Sequence, residues 1–267
     1  MNSELTNVHN YFYAVYESRY VSGVVAGMKL AQMIEDGTIT AENAKIGYVG
    51  AFPFAEVISG FTSFFLGARS QCPSVTMEVR YTNSWGDMAL EKETAEALIA
   101  DGCVLISQHA DTTGAPSACE AAGVPCVGYN ISMLPVAPNT ALTSAAGDWG
   151  AYVTYAVKCL IDGEEIARDW CKGYAEGAVY TTELNDSIVA PGTAEKVAEL
   201  EEAFKAGTVK VFDTSTFTVN GETLTSYTTA YGLEGIEMVS DGEFHESSVR
   251  SAPYFDILID GITAVVE

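Results

Sequence analysis

Short apolar runs alternate with longer amphipathic stretches between residues 45 and 163. The short runs are rich in β-branched residues, which is typical of buried strands, whereas the longer stretches place apolar residues at helical spacing. The predicted strands span 45–50, 76–82, 103–109, 124–130 and 140–146, and the predicted helices span 54–70, 89–102, 115–123 and 149–163. Strands that alternate with helices in this way predict βαβ units, and hence an α/β fold of parallel sheets flanked by helices.

The two ends of the chain follow other patterns. Residues 10–34 carry apolar positions at helical spacing, with Gly23 and Gly27 four apart, so they predict a helix that packs closely on a neighbour. Near the other end, residues 193–207 predict a further helix, and residues 217–225 predict a hairpin around an Asn-Gly turn.

Aromatic and short polar side chains follow the predicted strands at the points where the strands end. Because loops and helix N-termini converge beyond the carboxyl ends of parallel strands, ligands bind there in open α/β sheets. The exits read AFPFAE, NSWGD, ADTTGAP, NISM and GDWG in chain order. They supply the candidate ligand-binding residues Phe52, Glu56, Asn83, Trp85, Asp111, Thr112, Asn130 and Trp149. We therefore predict one cleft lined by these side chains.

These residue types suit a neutral small molecule that is part planar ring and part polyol. An aromatic face stacks on a ring, and a carboxylate accepts hydrogen bonds from ribose hydroxyls or a base N–H. The exits contain neither Lys nor Arg and no glycine-rich phosphate loop. A nucleoside or a sugar therefore fits better than a nucleotide.

Each candidate also has a purely structural interpretation. Trp85 could pack on a neighbouring helix, and Asp111 and Thr112 could cap the turn into helix 115–123. Asn130, at the end of a strand, has a residue type that often makes an Asx-turn. The binding prediction therefore depends on the common position of the group at one edge of the sheet, and not on any single residue.

The composition argues against several partners and cofactors. With 36 acidic and 13 basic side chains, the formal charge of -23 repels phosphate backbones and anionic lipid headgroups, so we expect no nucleic-acid partner. No stretch reaches the roughly 18 apolar residues that a membrane span needs. The six cysteines form no C-x-x-C pair and the three histidines are scattered, so we predict no metal and no cofactor.

Evidence for catalysis is weaker than evidence for binding. His109 and Asp111 are two residues apart at a strand exit and could form a base with an orienting acid. The G-x-S-x-G motif of a nucleophile elbow is absent, however. We therefore rank a nucleoside-processing enzyme below a binding protein.

Six motifs in one order carry a resemblance to a known family. They read YESRYVSGVVAG, KIGYVGAFPFAEVISGFTSFFLGARS, TNSWGD, QHADTTGAP, VGYNISM and LTSAAGDWGAYV. In this order and spacing they resemble the basic membrane protein family, the purine-nucleoside-receptor-like substrate-binding lipoproteins of ABC importers. The resemblance covers residues 8–165 strongly and the remainder weakly.

This resemblance implies a type I periplasmic-binding-protein-like fold, in which two lobes close on a ligand that is passed to an ABC permease without catalysis. By motif position, it implies that Phe52, Trp85, Asp111, Asn130 and Trp149 are cleft residues. Family members commonly carry Asp where this chain has an Asn at position 130. An amide is neutral and can donate as well as accept, so the resemblance leaves open which edge of the ligand this residue reads. The Trp of GDWG resembles a base-stacking subgroup, which makes adenine or adenosine the expected ligand.

The resemblance also implies a division of the chain into lobes. Family chains begin with a lipobox signal and the first βαβ units of an N-lobe, before the segment that matches Asn10. We therefore expect an incomplete N-lobe, and a chain that is a truncated gene model, a fragment or a protein completed by a partner. Residues 1–44 are expected to be a remnant of the N-lobe, 45–138 the βαβ core of the C-lobe, 139–165 a return to the N-lobe, and 166–267 the part that completes the C-lobe. The full-length form is expected to be an extracytoplasmic lipoprotein anchored to a membrane.

A ligand-sensing regulatory module is the main alternative, because the same lobe architecture also serves repressors. The formal charge of -23 and the lack of a helix-turn-helix pattern argue against it.

Overall fold

The computed structural model describes residue 5, residues 7–229 and residues 235–265. The strands are β1 (Asn10–Tyr13), β2 (Lys45–Gly50), β3 (Thr76–Tyr81), β4 (Leu105–His109), β5 (Cys126–Tyr129), β6 (Ala141–Gly147), β7 (Asp169–Lys172), β8 (Val179–Thr181), β9 (Val239–Ser240), β10 (Glu243–Phe244) and β11 (Ile262–Val265). The helices are α1 (Val15–Glu35), α2 (Ala55–Gln71), α3 (Met88–Ala100), α4 (Gly114–Ala122), α5 (Trp149–Asp162) and α6 (Thr193–Lys205). Residues 1–4, 6, 230–234 and 266–267, which belong to the first and last predicted segments, lie outside the described residues.

A seven-stranded sheet in the order β11-β3-β2-β4-β5-β6-β8 forms the centre of the molecule. Its neighbours run parallel, except that β8 is antiparallel to β6. Side chains alternate between its two faces: Ile46 and Tyr48 pack with α1 and α2, whereas Val49 packs with α3 and α4. Every predicted strand and helix between residues 45 and 163 is present, so the predicted α/β fold is confirmed.

The start of the chain differs from the prediction. Residues 10–13 are not the first turn of a helix but the strand β1, which pairs in parallel with β7. The run of aromatic residues favours an extended backbone, because large side chains pack well on a pleated surface. Tyr11 stacks on Tyr152 of α5 with 3.8 Å between ring centroids, and Trp170 of β7 makes an edge contact with Tyr152 at 5.3 Å between centroids.

The strand of the segment 139–165, which is expected to return to an N-lobe, lies beside β5 in the large sheet, and the division of the chain into lobes stays a prediction. β6 is buried along almost its whole length and hydrogen-bonds to β5 within the large sheet. The physical reason is that β5 and β8 satisfy both edges of β6, so the strand needs no partner elsewhere. Helix α5 does leave the sheet, and Tyr152 packs it onto the β1–β7 pair.

Helix α5 leaves an apolar face uncovered by the described residues. Val153, Val157, Leu160 and Ile161 are 54%, 49%, 70% and 78% exposed. Their spacing places them on one side of the helix, opposite the side that carries the buried Tyr152 and Cys159.

The strands after residue 165 are divided among different sheets. β8 and β11 extend the two edges of the large sheet, whereas β7 joins β1. The predicted hairpin at 217–225 is reduced to its turn, where Val219 and Glu222 form a single antiparallel bridge. Asn220 and Gly221 both have positive φ, at 53° and 82°, as a two-residue hairpin turn of this type requires.

Among the described residues, no helix is both long enough and apolar enough to cross a membrane. All six cysteines are free thiols, and all except Cys171 are buried.

Helices α1 and α2 touch through their backbones, as the glycine spacing predicts. A Cβ atom on Gly23 would lie 2.0 Å from the Phe64 carbonyl oxygen, and one on Gly67 would lie 2.1 Å from the Tyr20 carbonyl oxygen. Neither backbone can yield locally, so this approach requires glycine on both helices.

We predict that Gly23→Ala lowers the free energy of unfolding by about 1–3 kcal/mol, the usual cost of overpacking a core, because α1 must move away from α2. Urea denaturation measures the free energy of unfolding. Gly86→Ala is the matched control, since its Cβ would meet only the Thr112 methyl group at 3.8 Å. Equal stability of the two variants would contradict the backbone contact.

Candidate ligand-binding cleft

A cleft of about 510 Å³ opens at the carboxyl ends of the central strands. Five of the eight predicted residues line it, namely Glu56, Trp85, Asp111, Asn130 and Trp149, together with Phe12, Tyr13, Tyr129 and Gly147. The strand order β3-β2-β4-β5-β6 explains this, because these neighbours run parallel and their exits therefore share one edge.

Aromatic rings form two parts of the wall. Trp85 leans on Phe52 at 5.5 Å between centroids, and Phe52 is in turn stacked on Phe54 at 5.1 Å. Trp149 lies 4.2 Å from the Tyr13 ring and remains 41% exposed. Both tryptophans thus have a supported edge and a surface that a planar ligand can reach.

Each tryptophan lies where a helix begins with an acidic cap. Asp87 accepts hydrogen bonds from the Ala89 and Leu90 N–H groups at 3.1 Å, which fixes the start of α3 two residues after Trp85. Asp148 accepts from the Gly150 N–H at 2.7 Å and fixes the start of α5 at Trp149. These carboxylates act as caps and hold the tryptophan-bearing turns in place.

Asp111 and Asn130 form a polar pair between the aromatic walls. Asn130 Nδ2 donates to Asp111 Oδ1 at 2.8 Å, and the Tyr13 hydroxyl donates to Asn130 Oδ1 at 3.4 Å. Asn130 has a φ of 64°, a left-handed backbone that asparagine tolerates well, and its N–H donates to the Ala145 carbonyl of β6 at 2.9 Å. The pair therefore presents an acceptor, the second Asp111 oxygen, on a side chain held by its neighbours.

Opposing influences set the charge state of Asp111. Partial burial and the nearby Glu56 carboxylate raise the pKa of Asp111, while the Arg19 guanidinium and the Asn130 hydrogen bond act in the opposite direction. The two carboxylates give the cleft a negative potential, which disfavours an anionic ligand.

His109 does not take the role proposed for an enzyme. Asp111 pairs with Asn130 instead, and the His109 ring is fully buried against Tyr129 at 4.6 Å between centroids. Its Nε2 lies 3.8 Å from Glu56 Oε1, beyond hydrogen-bond distance. Burial, reinforced by the positive charge of Arg19, lowers the pKa of His109 to about 4, so the ring is neutral near pH 7. The predicted His109–Asp111 pair is therefore not formed.

Three predicted residues do not line the cleft. Phe52 lies behind Trp85, and Asn83 lines a separate surface cavity of about 340 Å³ with Tyr81 and Leu90. Thr112 caps the turn into α4, since its Oγ1 accepts from the Gly114 N–H at 3.1 Å. Ligand contact by these three residues stays a prediction.

The prediction missed three aromatic residues of the cleft. Phe12 and Tyr13 were assigned to a helix, although the run YFY is itself a strand signal. Tyr129 is the last residue of β5, and its position one residue before a strand exit could have marked it.

A second cavity, of about 580 Å³, lies between α5, β7 and residues 247–251. None of the predicted strand-exit residues lines this cavity, so the ligand type predicted from those residues does not apply to it. Within the described residues, no three His, Cys, Asp or Glu side chains are arranged to hold a metal ion.

Comparison with known proteins identifies the class to which this fold and cleft belong. The model of the Bmp family, ABC transporter substrate-binding protein PnrA-like, matches residues 1–211. The chain belongs to this family, as its motifs predict.

Two relatives and two solved structures illustrate the likeness. A purine-binding protein of Brucella abortus is 34% identical over 77% of this chain and 55% of its own length. A Haloferax volcanii protein, provisionally named an ABC transporter glucose-binding protein, is 31% identical over 86% of this chain and 56% of its own length. Two solved structures share the fold. One is an Aeropyrum pernix solute-binding protein of an ABC transporter system, with a TM-score of 0.64 and 19% identity over 78% of this chain and 66% of that chain. The other is a Bacillus halodurans transcriptional activator of the comK gene, with a TM-score of 0.62 and 20% identity over 75% of this chain and 66% of that chain. The predicted fold class is confirmed, and the chain spans about half the length of the curated relatives it matches.

The buried neutral histidine predicts a specific pH dependence of stability. The folded-state pKa of His109, about 4, is below the ordinary value of 6.5, so stability is fully present above pH 6.5 and is lost as the pH falls toward 4. We expect wild-type protein to lose about 3 kcal/mol more free energy of unfolding than His109→Gln between these pH values. Urea denaturation across the range measures this difference.

The same pair of proteins at pH 8 provides the control, because histidine is then neutral in both states and only the packing cost of the substitution remains. Parallel stability profiles of wild type and variant from pH 8 to pH 4 would contradict a neutral buried His109.

Proposed function

We propose that this chain is a solute-binding component of an ABC importer and binds a purine nucleoside or nucleobase in the cleft without chemical change. The observation that carries the proposal is the content of the cleft: two partly accessible tryptophans, a polar pair between them, and neither Lys nor Arg among the described lining residues. Membership of a substrate-binding family and the 34% identity to a purine-binding protein support it.

The cleft chemistry favours a neutral ligand with hydrogen-bond donors. A purine ring can stack on Trp85 or Trp149, while the free oxygen of Asp111 accepts from a ribose hydroxyl or an exocyclic amine. Glu56, with a side chain that is 32% exposed, offers another acceptor. A phosphate group would meet two carboxylates and no cation along the described lining, so a nucleoside fits better than a nucleotide.

A second lobe is part of the proposal. Trp149 is 41% exposed, and Val153, one turn further along α5, is 54% exposed, so apolar surface is accessible both in the cleft and on the helix that follows it. Closure of a second lobe over these surfaces would remove both from water and supply affinity. In this proposal, the full-length protein is extracytoplasmic, held at the membrane as a lipoprotein, and delivers its ligand to an ABC permease.

A sugar remains the competing ligand, since Asp111 and Glu56 also suit a polyol and one relative carries a glucose-binding name. The sensing module is a competing role for the same cleft and stays a prediction. Ligand titration separates the two ligand classes.

Titration of tryptophan fluorescence with adenosine, guanosine, inosine, cytidine, ribose and glucose tests the ligand class. We expect saturable quenching by the purine nucleosides alone. Trp85→Ala and Trp149→Ala should each weaken that binding by about 1–3 kcal/mol, the usual value of base–aromatic stacking. Trp170→Phe is the control, because Trp170 is only 6% exposed and lies outside the cleft. Saturable binding of glucose or ribose alone would replace the nucleoside proposal with a sugar.

A second titration tests the role of Asp111. Asp111→Asn keeps an oxygen that can accept from Asn130 but removes the charge, so we expect adenosine affinity to fall by about 1.5–3 kcal/mol, the value of a hydrogen bond to a charged group. Calorimetric titration measures the affinity, and thermal unfolding should change little because the variant keeps the oxygen that accepts from Asn130.

The matched control is Asp162→Asn, an exposed carboxylate at the end of α5. With 2′-deoxyadenosine as ligand, the Asp111→Asn effect should disappear if this carboxylate binds the 2′-hydroxyl, and persist if it binds the base. Unchanged affinity for adenosine in Asp111→Asn would exclude Asp111 as a ligand contact.

A further inference from the structure

Arg19 of α1 is buried in a way that is costly for a structural residue. It is fully buried and is among the largest fully buried side chains of the protein. Within the described residues, no carboxylate lies within salt-bridge distance of its guanidinium, and its Nε and Nη2 atoms have no hydrogen-bond partner. A buried cation is normally paired, so this one indicates a role that offsets its cost.

The contacts of Arg19 lead to the two strand exits of the polar pair. Its Nη1 donates to the Gln108 carbonyl of β4 at 2.7 Å. Its guanidinium carbon lies 3.8 Å from the centre of the Tyr129 ring, a close cation–π contact with the residue before Asn130. One side chain thus touches the ends of both β4 and β5.

Gln108 extends this contact to the loop that carries Asp111. Its Nε2 donates to the Ala110 carbonyl at 2.7 Å and to the Thr112 carbonyl at 2.9 Å, so it grips the backbone on both sides of Asp111. The Asp111 N–H is itself held by the Trp85 carbonyl at 2.8 Å. The conformation of the Asp111 loop therefore depends on Gln108, and the Gln108 carbonyl in turn accepts a hydrogen bond from Arg19.

We propose that Arg19 is a positioning residue for the cleft, which holds the β4 and β5 exits so that Asp111 and Asn130 meet at 2.8 Å and places a positive charge beneath that carboxylate. The geometric part of this inference is independent of the ligand. Its consequence for affinity rests on the proposed function.

Charged and titratable groups surround Asp111 on several elements. Glu56 from α2, Glu91 from α3 and Tyr13 from β1 interact with it electrostatically, and Arg19 from α1 is the cation among these groups. Removal of the cation leaves the neighbouring carboxylates unopposed, so Asp111 should bind a proton more readily.

Two substitutions separate the mechanical and electrostatic contributions. Arg19→Met keeps most of the volume but removes the charge and the bond to Gln108. Gln108→Leu leaves the backbone carbonyl that Arg19 contacts, but it releases the loop around Asp111. Arg69→Met is the matched control, because Arg69 also binds backbone carbonyls, of Asp260 and Thr216, and packs over Phe65 at 5.0 Å, away from the cleft.

Carbon-detected NMR titration of the Asp111 carboxyl in ligand-free protein is the primary measurement. In Arg19→Met, we expect the midpoint to move to higher pH, and the Asn130 side-chain amide resonances to shift. Gln108→Leu should shift the same amide resonances with a smaller change of midpoint. Arg69→Met should change neither.

Adenosine affinity provides the second readout, with an expected loss of about tenfold or more in Arg19→Met and Gln108→Leu, and none in Arg69→Met. If wild-type protein binds no nucleoside, the proposed function fails while the NMR comparison still tests Arg19. If Arg19→Met does not fold, Arg19→Lys replaces it: this variant keeps the charge but loses the planar guanidinium that contacts Tyr129 and Gln108, so the Asn130 amide resonances should shift with a smaller change of the Asp111 midpoint. Asp111 and Asn130 signals that are unchanged in every folded variant would overturn the proposal.

Discussion

Helices α1 and α2 meet backbone to backbone where Gly23 faces Phe64 and Gly67 faces Tyr20, and any Cβ at these glycines would overlap a carbonyl oxygen. This approach allows α1 to pack beside α2 on one face of the sheet and to reach β5 and β6. Two consequences for the cleft follow from it. The strand that precedes α1 brings Tyr13 to the carboxyl edge of the sheet, and Arg19, one turn into α1, comes to lie beneath the β4 and β5 exits.

The lining of the cleft is negatively charged, and the positive charge of Arg19 is buried in the core next to it. The whole chain carries a formal charge of -23, and two of its acidic residues, Asp111 and Glu56, line the cleft. Arg19 lies below these carboxylates with its charge held by a backbone carbonyl and an aromatic face. Its positive charge opposes the rise in the pKa of Asp111 that burial and Glu56 cause, and it reinforces the burial that lowers the pKa of His109. Because Arg19 belongs to α1, the packing of α1 on the sheet determines where this positive charge lies relative to the carboxylates of the cleft.

The sequence predicts the elements that form by local rules and misses those that depend on distant partners. Strands β2 to β6 carry their own signal, because both faces of a parallel sheet are buried and the runs are apolar throughout. Trp85, Asp111 and Asn130 could be placed together for the same reason, since parallel neighbours end at one edge. Asn83 lines another cavity although it follows the same strand as Trp85, and no local pattern in the sequence shows this. Arg19 gave no signal either, as its role arises from contacts with Gln108 and Tyr129, which lie 89 and 110 positions further along the chain.

The walls of the cleft differ in how firmly they are held. Trp85 and Trp149 each follow a strand of the seven-stranded sheet, whereas Tyr13 belongs to β1, which pairs with β7 outside that sheet. A pair of strands is marginally stable by itself and depends on packing, here on the stacking of Tyr11 on Tyr152 at 3.8 Å. The link from this wall to the polar pair is the Tyr13–Asn130 hydrogen bond of 3.4 Å, which is long for a hydroxyl donor. Local opening requires less free energy where packing and hydrogen bonds are few. Tyr13 on the β1–β7 pair is therefore the part of the wall that we expect to open most readily, whereas Trp85, Asp111 and Trp149 follow strands of the large sheet.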